Sequence, residues 1–404
     1  MSSYSIKSII GEIAKGIEKL IAEGTITPDR KVILYGLDRY SFAMRTILAN
    51  LGYDNIEGYI SDEEALVMQY QSEIKNFACR FLNHGTDAIK VWTLKERLQL
   101  FDDQALVLLT VKEYEKEKAK LEELGYQEKL HFLNIYDFKD EKLDALLEGR
   151  QVMSPEEIKR TEKEILAYVD KFLREKKLRY WVCGGTLLGT IRHKGFIPWD
   201  DDIDIFLPWE DYLMFIESFR ETERFGMMGF GTSLVNDFPD PFAKVVDKRT
   251  VVVEDIGTLL KTNPLFIDFF PLVGLPDDAL ERQAFFAGYR ELNRQIWQEF
   301  YATNGRTDLF PKWFERQKAY LQKYEFDKAQ YVGVLGTAYG ERDCTRKSVY
   351  DRTLRMPFED IEVNVSSGYK EYLDNLYGSN WMKWPEESDR KTHHNVSFYW
   401  NEKK

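Results

Sequence analysis

Within this chain of 404 residues, the segment Cys183–Phe206 (CGGTLLGTIRHKGFIPWDDDIDIF) limits the possible folds more than any other. The β-rich run Arg179–Cys183 enters Gly184-Gly185, and an apparent helix follows from Thr186 to Arg192. Backbone without side chains at a helix start lets a phosphate approach N–H groups, where the macrodipole also favours an anion. Arg192, His193 and Lys194 place positive charge and donors beyond that helix. The acidic run Asp200-Asp201-Asp202-Ile203-Asp204-Ile205 then turns into a strand. Side chains alternate across a strand, so Asp202 and Asp204 share a face while Ile203 and Ile205 point into the core.

Carboxylates this close are unfavourable unless a cation neutralises them. Hard oxygen ligands suit Mg²⁺ or Mn²⁺ bridging to a substrate's phosphates. A third carboxylate is expected from a neighbouring strand. Asp268 in Leu265–Phe270 (LFIDFF) is the best candidate, a lone acid amid strand-forming apolar residues that is costly to bury without a metal or donor. Lys244, on another predicted strand, reads either as a phosphate contact or as an edge lysine with its head in water. Each piece alone is common: Gly-Gly is usually a turn, and an acidic run usually a solvated loop or cap. An EF-hand does not fit, because Ile205 and Asp211 stand where its Gly and Glu are required. No GxxxxGK[ST] occurs, which excludes a P-loop. The specific signal is the combination, with Asp202 placed 18 residues after Gly184.

Ahead of this segment, apolar runs at Lys31–Gly36, Ile56–Ser61, Ala105–Thr110 and Leu130–Ile135 alternate with helical patterns at Ser41–Leu51 and Glu113–Leu124. That alternation predicts a parallel α/β sheet, a Rossmann-like domain over residues 1–148. Its first turn, Gly36-Leu37-Asp38-Arg39-Tyr40-Ser41, lacks the second glycine of GxGxxG. The domain therefore reads either as a nucleotide- or sugar-sensing module or as one used for packing or partner contact. A boundary falls near Glu148–Met153, and Ser154-Pro155-Glu156-Glu157 then opens a helix running to about Lys177. A strand pair near Val245–Val253 and Leu265–Phe270 and long helices from about Asp278 to Phe326 complete a second domain, residues 154–404. The predicted class is α/β plus α+β.

Charge and cysteine content narrow the function further. Sixty-eight acidic against 56 basic side chains give a net charge of −12, which opposes long polyanionic nucleic acids but not a small diphosphate met by a cation. Cys79, Cys183 and Cys344 suggest neither a disulfide framework nor a zinc site. The N-terminal stretch lacks the pattern of a signal peptide, and no apolar run reaches membrane-spanning length. The expected location is cytoplasmic, with membrane association at most peripheral, at the inner face. Nothing here sets an oligomeric state.

Gly184–Ile205 resembles the signature of the LicD family, which includes bacterial phosphocholine transferases and is related to fukutin-type proteins. The resemblance runs from about Ser154 to about His394 and takes in Ala243–Thr250 (AKVVDKRT), Phe266–Asp278 (FIDFFPLVGLPDD) and Tyr377–His394 (YGSNWMKWPEESDRKTHH). It implies a nucleotidyltransferase-like mixed sheet with flanking helices. Gly184-Gly185 would be its glycine pair, Asp202 and Asp204 its metal-binding acids, and Asp268 the third acid. The implied activity is metal-dependent transfer of a phospho-group, such as phosphocholine, from a CDP-linked donor to a hydroxyl of a cell-surface glycan or its lipid-linked precursor. Gly184, Gly185, Thr186, Arg192, His193, Lys194 and Lys244 would then surround the donor. Asp268 would ligate a metal or take the acceptor's proton, and His193 is a weaker candidate for that base. Trp381, Trp384, Arg390, His393 and His394 read either as a surface closing over a sugar or choline headgroup or as a packed flap. Two other readings stay open: a DxD-type glycosyltransferase using a sugar nucleotide, and a non-catalytic binding or scaffold protein that retains the fold.

Overall fold

The computed structural model describes residues 5–37, 39–53, 55–62, 64, 67–68, 90–98, 102, 104–110, 114–138, 147–229, 242–255, 259–337, 339–386, 390 and 397–403. Cys79, His393 and His394 lie outside them. The first part contains β1 (Ser5–Ser8), α1 (Ile9–Ala22), β2 (Lys31–Tyr35), α2 (Arg39–Asn50), β3 (Ile56–Ser61), β4 (Lys90–Thr93), α3 (Leu94–Leu98), β5 (Ala105–Leu109), α4 (Tyr114–Glu123) and β6 (Phe132–Asn134). Strands β2 to β6 form an all-parallel sheet in the order β4-β3-β2-β5-β6. Its central strands are buried on both faces, as parallel strands flanked by helices must be. Val32, Leu34, Leu106 and Leu108 pack on one side, and Ile33, Tyr35, Val107 and Leu109 on the other.

The second part contains β7 (Arg150–Val152), α5 (Pro155–Lys176), β8 (Trp181–Val182), α6 (Gly184–His193), β9 (Asp204–Pro208), α7 (Trp209–Ser218), β10 (Phe225–Gly229), β11 (Ala243–Asp255) and β12 (Leu259–Leu275). Then come α8 (Ala279–Ala302), α9 (Phe310–Leu321), β13 (Tyr331–Gly333), β14 (Thr345–Arg346), the hairpin β15 (Thr353–Phe358) and β16 (Ile361–Ser366), α10 (Tyr369–Tyr377) and β17 (Phe398–Lys403). A mixed sheet of ten strands follows the path β14-β13-β12-β11-β17-β7, with β9 parallel to β12 and β8 antiparallel to β9. Helix α5 starts as its sequence dictates. The Ser154 hydroxyl accepts the Glu157 N–H at 3.2 Å, and the Glu157 carboxylate accepts the Ser154 N–H at 2.9 Å. Its stripe Ile165, Leu166, Val169 and Leu173 is fully buried against the sheet core. No described helix is long and apolar enough to cross a membrane.

The two parts are joined by more than a linker. Strand β1 pairs antiparallel with β12, Ser5 opposite Thr262, so the chain's first strand belongs to the second sheet. Ile10, Ile13 and Ile17 of α1 share a core with Ile296, Phe300, Phe310 and Trp313 of α8 and α9. One detail of the acidic segment departs from expectation. The strand begins at Asp204, so Asp202 sits in the preceding loop rather than on the strand. Ile203 and Ile205 are buried as expected.

Candidate active site

Three adjacent strands bring the predicted acids into register. β9 places Asp204 opposite Asp268 of β12, and β11 places Lys244 opposite the same Asp268. Directly opposed residues project to one face, so Lys244, Asp268 and Asp204 form a row across the sheet. Lys244 Nζ donates to Asp268 Oδ1 at 2.7 Å, with its ammonium 3.3 Å from the Phe266 ring centroid. Lys244 is thus not an edge lysine with its head in water: it is 5% exposed and is the counter-charge of Asp268.

The row faces a cavity of about 530 Å³ lined by Gly184, Gly185, Asp200, Asp202, Asp204 and Asp268, with Phe206, Phe242 and Phe270 as apolar wall. Both glycines lie in the first turn of α6 rather than in a loop before it. A Cβ on Gly185 would stand 2.5 Å from Asp200 Oδ2, and one on Gly184 would stand 3.0 Å from Asp204 Oδ2. Gly184 also has φ +53°, a left-handed conformation that side chains disfavour. Thr186 locks helix to strand, its Oγ1 accepting the Asp204 N–H at 2.9 Å. The Cys183 N–H in turn donates to the Asp204 carbonyl at 3.0 Å.

Crowded carboxylates make the site electrostatically strained. Burial, followed by the charges of Asp202, Asp268 and Asp200, pushes the Asp204 carboxyl well above the ordinary range. Among the described residues, no group of three or more His, Cys, Asp or Glu side chains is arranged to hold a metal ion. The donor chemistry nonetheless suits a hard cation that takes one or two carboxylates and fills its shell from substrate phosphates, as Mg²⁺ does. Such a charge would relieve the repulsion that raises Asp204.

Arg192, His193 and Lys194 are not brought to this cavity. They end α6, about 14 Å along its axis from Gly184. Arg192 Nη1 donates to the Trp381 carbonyl at 2.9 Å, so it pins the C-terminal segment. His193 lies edge-on to Trp384 at 5.0 Å and to Trp199 at 6.4 Å, and burial followed by the Arg192 charge lowers its pKa. Lys194 is the exposed cap of the helix at φ +61°. Trp381 is packed, its Nε1 donating to Asp374 Oδ1 at 2.8 Å. Trp384 is 49% exposed, and the Arg390 guanidinium stands 5.4 Å from its ring and 5.4 Å from that of Trp199.

Sequence reasoning missed several groups at or near the site. Thr337, Tyr339, Arg342, Asp343 and Tyr372 also line the cavity. Tyr372 accepts the Gly184 N–H at 3.3 Å and donates to Asp343 Oδ1 at 3.3 Å, while Thr337 donates to Asp343 Oδ2. Burial holds the Asp343 carboxyl up at about 6, outweighing those hydrogen bonds and the nearby Arg342 charge. No periodic pattern marks this turn of the chain. Glu162 did carry a signal, as an acid on the apolar stripe of α5 between Ile158 and Ile165. It is 1% exposed, its Oε2 has no hydrogen-bond partner among the described residues, and burial followed by Asp202, Asp201 and Asp200 raises its pKa strongly.

Residues 177–331 match the family model described as LicD/FKTN/FKRP, nucleotidyltransferase domain. The chain is 29% identical over 247 residues to the lipopolysaccharide cholinephosphotransferase LicD of Haemophilus influenzae, covering 57% of this chain and 92% of that protein. It is 42% identical over 66 residues to the mouse ribitol 5-phosphate transferase FKRP, a match covering 16% of this chain and 13% of the relative.

Proposed function

We propose, from the match of residues 177–331 to the LicD/FKTN/FKRP nucleotidyltransferase domain, that this LicD-like phosphotransferase moves phosphocholine or a similar phospho-alcohol from a CDP-linked donor to a hydroxyl of a glycan or lipid-linked glycan. The observation that carries the reading is the register Asp204–Asp268–Lys244 beside the Gly184-Gly185 helix start. Asp202 and Asp204 would hold Mg²⁺ or Mn²⁺, which when bound neutralises charge on the donor's diphosphate. Backbone N–H groups in the first turn of α6 would meet the donor's phosphates, and Gly184 and Gly185 keep that approach clear of side chains. Asp268 would accept the proton of the attacking hydroxyl, while Lys244 keeps the charge of that strand position balanced. The apolar walls Phe206, Phe242 and Phe270 would limit water at the reacting phosphorus, which would favour transfer to a glycan over hydrolysis.

The test is release of CMP from CDP-choline, CDP-ribitol and CDP-glycerol by the purified chain with Mg²⁺ and cell-derived glycans. Metal-dependent release from at least one donor is expected. Asp202→Asn and Asp204→Asn should each lower it by about three orders of magnitude or more while the chain stays folded, in line with the loss of electrostatic stabilisation at a phosphoryl-transfer site. Wild-type protein that turns over none of these donors would overturn the reading.

A further inference from the structure

We propose that Arg342 is the anion-binding residue of the cavity, taking a phosphate oxygen of the diphosphate donor; this rests on the phosphotransferase reading above. Five carboxylates line the space, Asp200, Asp202, Asp204, Asp268 and Asp343, and Arg342 is the only basic side chain among its described lining residues. The other cations of the region are engaged elsewhere. Lys244 is bonded to Asp268, and Arg192 to the carbonyls of Trp381 and Lys383. Lys194 caps the distant end of α6.

Arg342 is held in place without being neutralised. Its Nη1 donates to the Leu376 carbonyl at 3.3 Å, and its guanidinium stands 5.4 Å from the Tyr339 ring centroid. Among the described residues it has no ion pair, and Nε and Nη2 make no hydrogen bond. The planar donor fork that matches phosphate is therefore open on an exposed side chain. Its neighbour Asp343, 1% exposed, accepts from Thr337 and Tyr372, and Tyr372 also takes the Gly184 N–H. One hydrogen-bonded chain thus fixes Arg342 relative to the helix start on which the same diphosphate would rest.

The test is calorimetric titration of inorganic pyrophosphate with Mg²⁺ into the full chain, in wild type, Arg342→Gln and Arg342→Lys. Wild type should bind. The Gln variant should bind at least about tenfold more weakly, the scale of one charge-assisted hydrogen bond. The Lys variant should fall between, since an ammonium restores charge but not the fork. Melting temperatures without ligand should coincide, because Arg342 is exposed. Were the Gln variant to misfold, the Lys variant decides: affinity equal to wild type would overturn the assignment. So would unchanged affinity in the Gln variant, or no pyrophosphate binding by wild type. Pyrophosphate binding that depends on Arg342, together with no CMP release from any CDP-alcohol, leaves this assignment standing and overturns the phosphotransferase reading instead.

Discussion

The Cβ that alanine would add at Gly185 falls 2.5 Å from Asp200 Oδ2, well inside van der Waals contact, so the buried Asp200 carboxylate has to move. Gly185→Ala should cost about 1–3 kcal/mol, the usual scale of overpacking, and should lower CMP release because the added methyl and the displaced Asp200 carboxylate both disturb the cavity wall. Urea unfolding and the turnover assay measure the two effects. Asp204 presents the opposite case. Its carboxyl is raised by burial and by three neighbouring acids in the folded state, and that repulsion is absent in the unfolded chain. Asp204→Asn should therefore raise the melting temperature in metal-free buffer while abolishing any stabilisation by Mg²⁺, the exchange of stability for function typical of active sites. Asp343 gives a pH signature. Its folded pKa of about 6 exceeds the unfolded value of about 3.9, so its contribution is fully present below about 3.9 and is lost as pH rises through about 6. Asp343→Asn lacks this titration. Between pH 4 and pH 7 its stability relative to wild type should improve by up to about 3 kcal/mol, apart from a constant cost for altered hydrogen bonds. Parallel melting curves at the two pH values would reveal no such convergence if Asp343 titrated normally.

At the scale of strands and helices, the row Lys244–Asp268–Asp204 ties β11, β12 and β9 together. Removing one partner of a buried pair leaves an uncompensated charge, so Lys244→Met should destabilise by about 3–5 kcal/mol. The double change Lys244→Met with Asp268→Leu should recover most of that loss, and a double-mutant cycle by chemical unfolding separates the pair from its surroundings. This row was partly legible in the sequence. Asp268 stood out because a lone acid in LFIDFF has no cheap reason to be buried, and period-two alternation fixed the inward Ile203 and Ile205. Capping chemistry made α5 readable from Ser154 almost to its last residue, Lys176. What stayed hidden depends on tertiary packing. Lys244 read equally as a phosphate contact or an edge lysine, and its pairing with Asp268 stayed hidden because register between strands distant in sequence is not written locally. The charges of Arg192–Lys194 suggested phosphate contacts, yet a helix of 10 residues carries them away from its own N-terminus. Arg342 and Asp343 sit in a short turn without periodicity, and only the fold brings that turn beside Gly184.

Across the whole molecule, the fusion of the two parts argues that the N-terminal part supports stability more than chemistry. Strand β1 occupies the edge of β12 from Leu259 to Thr262, and Ile10, Ile13 and Ile17 cover Phe300, Phe310 and Trp313. Asn50 of α2 adds hydrogen bonds from its Nδ2 to the Ala302 carbonyl and Asn304 Oδ1, both at 3.1 Å. A shared core of this kind couples the unfolding of both parts, so the full chain should melt in one calorimetric transition. A shortened chain beginning at Arg150 would uncover those aromatic side chains and leave part of β12 unpaired, the conditions for edge-to-edge association. It should melt at lower temperature and scatter light on heating. No described residue before Cys183 lines the cavity, however. Turnover per folded molecule should therefore survive at low temperature, and metal-dependent CMP release normalised to folded protein measures that directly. A shortened chain as stable as the full one would sink the supporting role, whereas a stable chain without turnover would mean that the N-terminal part reaches the substrate.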